Sequence, residues 1–240
     1  MAQLFMEYTQ NMIFLFLAFL TGIVAYLIWH YVVTQTIYFY TPTQICPSLI
    51  SICDIADKVL AETINLNNKT NTVWEDWPEK YLYASNGNWK IFPFYAFGIW
   101  VNDNCQKCPT ITKFLHSIKG LRLATLSKLT AGMKLTPHKG WASHSNYVIR
   151  CHYGIIVPDD CSIIVVDDNG KSYRKFHKYQ EWLIFDDSMT HYAENNSKDD
   201  RIVLIIDVDR PENIPIGKSD IGDSKELLDI VQYFKEKNIN

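Results

Sequence analysis

The sequence predicts a mainly β domain, a sandwich or barrel with flanking helices, behind an N-terminal apolar segment long enough to cross a bilayer. Three observations predict it. From Trp89 on, short runs rich in β-branched and aromatic residues ("WKIFPFYAFGIW", "MKLTPH", "NYVIRCHYGIIV", "CSIIVVDD", "EWLIFDD", "RIVLIIDVD") alternate with Asp-Asn-Gly, Val-Pro-Asp-Asp and Asn-Asn-Ser-Lys-Asp-Asp. Many short strands joined by polar turns make a sandwich or barrel. "SLISICDIADKVLAETINLN" and "DSKELLDIVQYFKEKN" carry helical spacing instead, and "MIFLFLAFLTGIVAYLIWHYVV", Met12 to Val33, runs 22 residues without a formal charge.

In chain order, residues 1–11 are a short tail and residues 12–33 a transmembrane anchor. At 1.5 Å per residue this segment spans the hydrocarbon core as a helix, and Tyr26, Trp29 and Tyr31 suit the aromatic belt at its end. A cleaved signal peptide fits less well, because the apolar run is too long, no basic residue precedes it and no small-x-small site follows. The expectation is a single-pass membrane protein whose orientation stays open, since the first basic residue after the span is Lys58. Residues 34–80 read as a connector and a helix with Leu49, Ile52, Ala56, Val59 and Leu60 at helical spacing. Residues 81–216 hold the strands, and residues 217–240 close the chain as an amphipathic helix with an Asp or Ser cap and Leu227, Leu228, Val231 and Phe234 along one face. There is no internal repeat.

Charge and cysteine content exclude some functions. A net charge of -3 argues against nucleic acid as a partner, because phosphate-backbone binding needs a concentrated basic surface. Six cysteines in 240 residues do not make a disulfide scaffold, and Cys105-x-x-Cys108 has no second pair to complete a structural zinc site. Short disulfides or free thiols remain, with the pairing of Cys46, Cys53, Cys105 and Cys108 open. Asn68-Lys69-Thr70 and Asn195-Asn196-Ser197 match glycosylation acceptors without fixing a compartment.

"LTPHKGWASHSNYVIRCHYG", Leu135 to Gly154, holds three of the seven histidines and no carboxylate. Along "VIRCHYG" alternate residues share a face, so Arg150, His152 and Gly154 point one way and Ile149, Cys151 and Tyr153 the other. An Arg and a His side by side are costless if exposed; if buried they need an anion, and a bound carboxylate would serve. His138 and His191, 53 positions apart, are not recognisable as metal ligands by spacing; each alone reads as a surface or hydrogen-bonded histidine.

The whole pattern is more specific than its parts. "GNWKIFPFYAFG", Ser127 eleven residues before the His138 of "PHKG", "RCHYGIIVPDDC", "WLIFDDSMTHYAEN" and "DRIVLIIDVDRP" occur in this order from Trp89 to Pro211. Over this half of the chain the sequence resembles the aspartyl/asparaginyl β-hydroxylase family of Fe(II)/2-oxoglutarate dioxygenases. The resemblance implies a double-stranded β-helix of the jelly-roll, cupin-like kind. It implies Fe(II) held by His138 and His191, 2-oxoglutarate held at one end by Arg150 and His152 and at the other by Arg201 and Ser127, Trp89 near the cosubstrate, and O2 as co-reactant. Most non-haem iron oxygenases add a carboxylate to two histidines. In this family the usual His-x-Asp is His-x-Gly, and this chain has His138-Lys139-Gly140, so water is expected at the missing position. Asp186 and Asp187 are implied to be structural, and "WASHS" to enlarge the loop over the site, with His144 exposed or facing substrate.

The implied activity is hydroxylation of an unactivated carbon, with the β-carbon of Asp or Asn in a protein or peptide as the leading substrate. The anchor keeps a lipid or small molecule open as the alternative. A non-catalytic membrane protein on the same scaffold is disfavoured, because His138, Arg150, His152, His191 and Arg201 are all present.

Overall fold

The computed structural model describes residues 1, 12, 14, 16–27, 37–68, 74–83 and 88–237. They divide into two compact units, residues 1–37 and 38–240. In the first, residues 16–27 are helical and their large apolar side chains, such as Phe16, Phe19 and Leu27, are exposed. Residues 13, 15 and 28–33 of the expected anchor, with Trp29 and Tyr31, lie outside the described residues. Among the described residues no helix is long and apolar enough to cross a membrane.

The second unit is built on strands β1 (Phe39–Tyr40), β2 (Glu75–Asp76), β3 (Trp89–Ala96), β4 (Ile99–Trp100), β5 (Leu121–Leu129), β6 (Val148–Ile156), β7 (Cys161–Val166), β8 (Ser172–Phe176), β9 (Trp182–Phe185), β10 (Thr190–Asn195) and β11 (Arg201–Asp209). The larger sheet runs β1-β9-β6-β11-β5-β3-β2, with β4 paired to β3; the smaller runs β10-β7-β8. From β6 on, the chain changes sheet between β6 and β7, β8 and β9, β9 and β10, and β10 and β11. This winding leaves the two sheets face to face, with Trp89, Leu129, Leu183 and Phe185 of one packed against Ile163, Val165 and Ala193 of the other.

The run "WKIFPFYAFGIW" is a hairpin. It turns at Phe97 and Gly98, whose φ values of 53° and 83° suit the tight turns of twisted antiparallel ribbons. Pro93 has no N–H for the ladder and sits at a register shift between Pro93 and Tyr95. "LRLATLSKL" adds a further strand, β5: its alternation puts Thr125 and Ser127 on the inner face and Leu126 on the outer.

The outer face of the larger sheet is also covered. Phe92, Phe94, Leu126, Cys151, Tyr153, Leu204 and Ile206 pack with Leu49, Ile52, Val59 and Leu66 of the segment Pro47–Asn68, and with Ile111, Phe114 and Leu115 of the helix Pro109–His116. Burial on both faces explains why these strands read as nearly continuous apolar runs. Pro47–Ile55 is a 3-10 helix that passes into the α-helix Ala56–Asn68, and Leu60 is only half-buried. The closing helix is Lys225–Lys237; the Ser224 hydroxyl accepts the Leu227 N–H, Leu227 is buried and Leu228 is exposed. Cys46, Cys53, Cys105, Cys151 and Cys161 are not in disulfides. Asn195 is fully buried, its amide donating to Leu129, Thr130 and Asp199 carbonyls, so the acceptor asparagine of this triplet lies in the fold's interior.

Candidate active site

Between the sheets lies a cavity lined by Trp89, Ser127, His138, Arg150, His152, His191 and Arg201, the seven residues singled out in the sequence. Leu135, Ile163, Phe185, Ala193 and Ile205 complete the wall. The inner faces of β3, β5, β6, β10 and β11 supply all seven except His138.

His138 is brought in by a short antiparallel bridge. Its N–H donates to the His191 carbonyl at 3.0 Å and its carbonyl accepts the His191 N–H at 2.8 Å, which sets the rings side by side with centroids 4.5 Å apart. Each Nδ1 faces a carbonyl two residues earlier, Thr136 O at 2.7 Å and Met189 O at 2.8 Å. A carbonyl only accepts, so each Nδ1 carries the proton and each Nε2 keeps a lone pair. Burial holds both imidazoles below their ordinary pKa, His191 well below, and the neighbouring ring adds to the effect at His191. Two neutral imidazoles with fixed tautomers are suited to a metal. Among the described residues no third His, Cys, Asp or Glu completes a metal-holding set.

The Arg201 guanidinium is 2% exposed, and its Nε and Nη1 have no hydrogen-bond partner in the protein. Burial pushes it down to about 10. An unpaired buried cation is costly unless an anion joins it. Ser127, fully buried, accepts the Trp89 Nε1–H at 3.0 Å and keeps its own proton to give. Trp89 is stacked on Trp77 at 4.3 Å, and Glu79 collects the Trp77, Tyr81 and Trp141 donors at 3.3, 2.6 and 3.0 Å. A carboxylate entering the cavity finds charge and donors at this end.

Arg150 is inward and mostly buried, with its side chain 11% exposed, and its neutralising anions belong to the chain. Across the β6–β11 register it faces Asp207, to which Nε and Nη2 donate at 2.8 Å each. Its Nη1 lies 2.5 Å from Asp187 Oδ1. Burial opposes both charges, yet the pair holds Arg150 above its ordinary value and Asp207 well below the carboxylate range. Burial pushes Asp187 up to about 6 against the pull of Arg150. His144 is neither exposed nor facing the cavity; its Nε2 lies 2.8 Å from Asp207 Oδ2 and its side chain is nearly buried. Asp186 grips Arg210 through two contacts of 2.6 and 2.7 Å and accepts from Ser188, tying "FDD" to "DVDRP". Asp207 lies within "DRIVLIIDVDRP", but its role needs the β6–β11 register. Glu79, Trp77 and His177 carried no local signal.

The sequence pattern of the family described as aspartyl/asparaginyl beta-hydroxylase matches residues 55–211, which hold every residue of this cavity. The chain belongs to the aspartyl/asparaginyl β-hydroxylase family. It is 32% identical over 134 residues to ornithine lipid ester-linked acyl 2-hydroxylase of Rhizobium tropici, covering 55% of this chain and 45% of that one. It is 31% identical over 140 residues to human aspartate beta-hydroxylase domain-containing protein 2, covering 52% and 34%. Human aspartyl/asparaginyl beta-hydroxylase is 26% identical over 143 residues, covering 58% and 18%. The match thus spans less than half the length of each of these relatives. A Burkholderia pseudomallei oxidoreductase of the 2OG-Fe(II) oxygenase family superposes with a TM-score of 0.47 at 13% identity, over 67% of this chain and 81% of that one. Within this member of the family the cavity sits at one end of the inner sheet faces. A second, almost wholly apolar pocket lies further along the same strands: Ile91 follows Trp89 on β3 and Thr125 precedes Ser127 on β5.

Proposed function

We propose that this chain is an Fe(II)- and 2-oxoglutarate-dependent hydroxylase acting on an unactivated carbon, with the β-carbon of Asp or Asn in a protein or peptide as the leading substrate. One observation carries the reading: a buried guanidinium without a partner, that of Arg201, shares one cavity with two histidines whose Nδ1 protons are held by backbone carbonyls, which leaves a lone pair on each Nε2. His138 and His191 would hold iron through Nε2. Arg201 and Ser127 would hold the far carboxylate of the diacid, and His152 the near end. Arg150 serves less as a free clamp than as a fixed charge, since Asp207 and Asp187 already occupy its donors. Iron, 2-oxoglutarate and O2 together supply the oxidant for the C–H bond. The chain keeps water from it with Leu135, Ile163, Phe185 and Ile205.

A lipid substrate is the second reading, favoured by the apolar pocket lined by Ile91, Tyr95, Phe97, Leu123, Trp141 and Leu227, an apolar wall against which an alkyl chain would pack. We also propose that residues 12–33 anchor the enzyme in a membrane, on the strength of their uncharged apolar run. Full-length protein supplied with Fe(II), 2-oxoglutarate and O2 should release succinate, and His138→Ala and His191→Ala should each abolish it together with most Fe(II) binding. Asp- and Asn-containing peptides and acyl lipids, tested side by side, should show which one couples succinate release to its own hydroxylation. Failure of the metal-loaded chain to bind 2-oxoglutarate in a direct titration would refute the reading.

A further inference from the structure

His177 was not singled out by any motif, yet it is 6% exposed and touches a residue of the cavity. It follows β8, its backbone N–H donates to Cys161 O at 2.8 Å, and its Nε2 lies 3.2 Å from Nδ1 of His152. The two rings are within 11° of parallel with centroids 5.5 Å apart, so the contact joins them edge to edge in one plane. One N–H must lie between the two nitrogens. Each ring then has one buried nitrogen left, His152 Nε2 and His177 Nδ1, and neither has a partner in the protein.

Buried polar atoms are nearly always satisfied, and two orphans at the ends of one hydrogen-bonded pair call for a reason. A neutral pair has two proton arrangements. If His152 Nδ1–H donates to His177, then His152 Nε2 is left as a lone pair, which repels a carboxylate. If His177 Nε2–H donates to His152, then Nε2 of His152 carries a proton and becomes a donor. Burial keeps both rings neutral, with Arg201 adding to the effect.

We infer that His177 is a positioning residue: it donates Nε2–H to His152 Nδ1 and thereby makes His152 Nε2 an N–H donor to the carboxylate of the bound diacid. This rests on the proposed 2-oxoglutarate site. It makes the pair one unit in which the outer ring sets the tautomer of the inner, as partners of metal-bound and catalytic histidines do.

The test uses the full-length chain loaded with Zn(II), which is diamagnetic and redox-silent, and follows 2-oxoglutarate binding by calorimetry and histidine 15N spectra. In the complex, His152 should be protonated at Nε2 and not at Nδ1. His177→Phe keeps a flat ring but cannot donate, so affinity should fall roughly ten- to a hundredfold, the worth of a charge-assisted hydrogen bond. His177→Gln, whose amide can donate from a similar position, should stay within about threefold of the parent. The inference is overturned if His177→Phe binds as tightly as the parent, if His177→Gln loses as much as His177→Phe, or if His152 carries a proton on Nδ1 in the complex. The last measurement decides the matter even where a variant does not fold. Should the unaltered chain not bind the diacid at all, the oxygenase reading fails and takes this one with it; binding by parent and His177→Phe alike removes only the role of His177.

Discussion

Asp187 occupies the space into which a side chain at Gly140 would grow. A Cβ built there would collide with Asp187 Oδ2 and stand 2.7 Å from Ser145 Cβ, and the Gly140 N–H already donates to the Asp187 carbonyl at 2.9 Å. The place where a His-x-Asp enzyme begins its third ligand is thus filled from the neighbouring loop, by a carboxylate whose Oδ1 is 3.4 Å from His191 Nε2.

Restoring the commoner motif by Gly140→Asp alone should therefore destabilise the fold, by about 1–3 kcal/mol as for overpacked interiors. Pairing it with Asp187→Gly removes the collision with the carboxylate but leaves Ser145 Cβ at 2.7 Å and takes one anion from Arg150, so the double variant should regain only part of the lost stability while binding Fe(II) more tightly than the parent. Thermal unfolding and metal titration check the two halves. A single Gly140→Asp variant as stable as the parent would show that the crowding is absent.

Arg201→Met should move two properties in opposite directions. Without ligand, the unpaired guanidinium in the interior is a burden, and replacing it with an apolar chain of similar length should raise the melting temperature. Binding of 2-oxoglutarate should weaken roughly ten- to a hundredfold, and with it the ligand-induced rise in melting temperature. A variant that is less stable and still protected by the diacid would mark Arg201 as structural.

The Arg150–Asp207 pair sets an acid limit. Asp207 is held far below its unfolded value by Arg150 and His144, and for a carboxyl so depressed the stabilisation is fully present above the unfolded pKa near 3.9 and is lost as pH falls below it towards the folded value. Urea titrations of the parent should show stability dropping from about pH 4 downward. Asp207→Asn should be less stable at neutral pH and flatter over that acid range; an equally steep fall in the variant would assign the loss to other carboxylates.

Trimming should be tolerated up to Tyr38 and no further. Residues 38–240 form one compact unit that contains the whole cavity, while Phe39 and Tyr40 pair with Phe185 and Ile184 at the edge of the larger sheet. A chain starting at Tyr38 should fold and bind 2-oxoglutarate like the full chain. One starting at Pro47 loses β1 and the buried Ile45 and Cys46, and should unfold at a lower temperature. Loss of diacid binding from the Tyr38 chain would tie the N-terminal unit to the site.

The sequence by itself determined the strand-rich character from Trp89 on, the helical spacing around Leu49 to Val59, and the set of seven side chains that the structure gathers into one cavity. These are written locally, in period-two and period-3.6 patterns and in short motifs whose order survives in the chain. Only the tertiary structure decided what neutralises Arg150, because its partners Asp207 and Asp187 come 57 and 37 positions later and meet it through strand register and loop path. The same holds for Gly140, whose missing side chain leaves room for Asp187, and for His177, which follows a short strand with no motif around it. A charge or a proton position depends on what lies within about 3 Å, and in an antiparallel sandwich those neighbours come from strands far apart in sequence. Pattern placed the residues on faces; pairing across the faces gave each its chemical state.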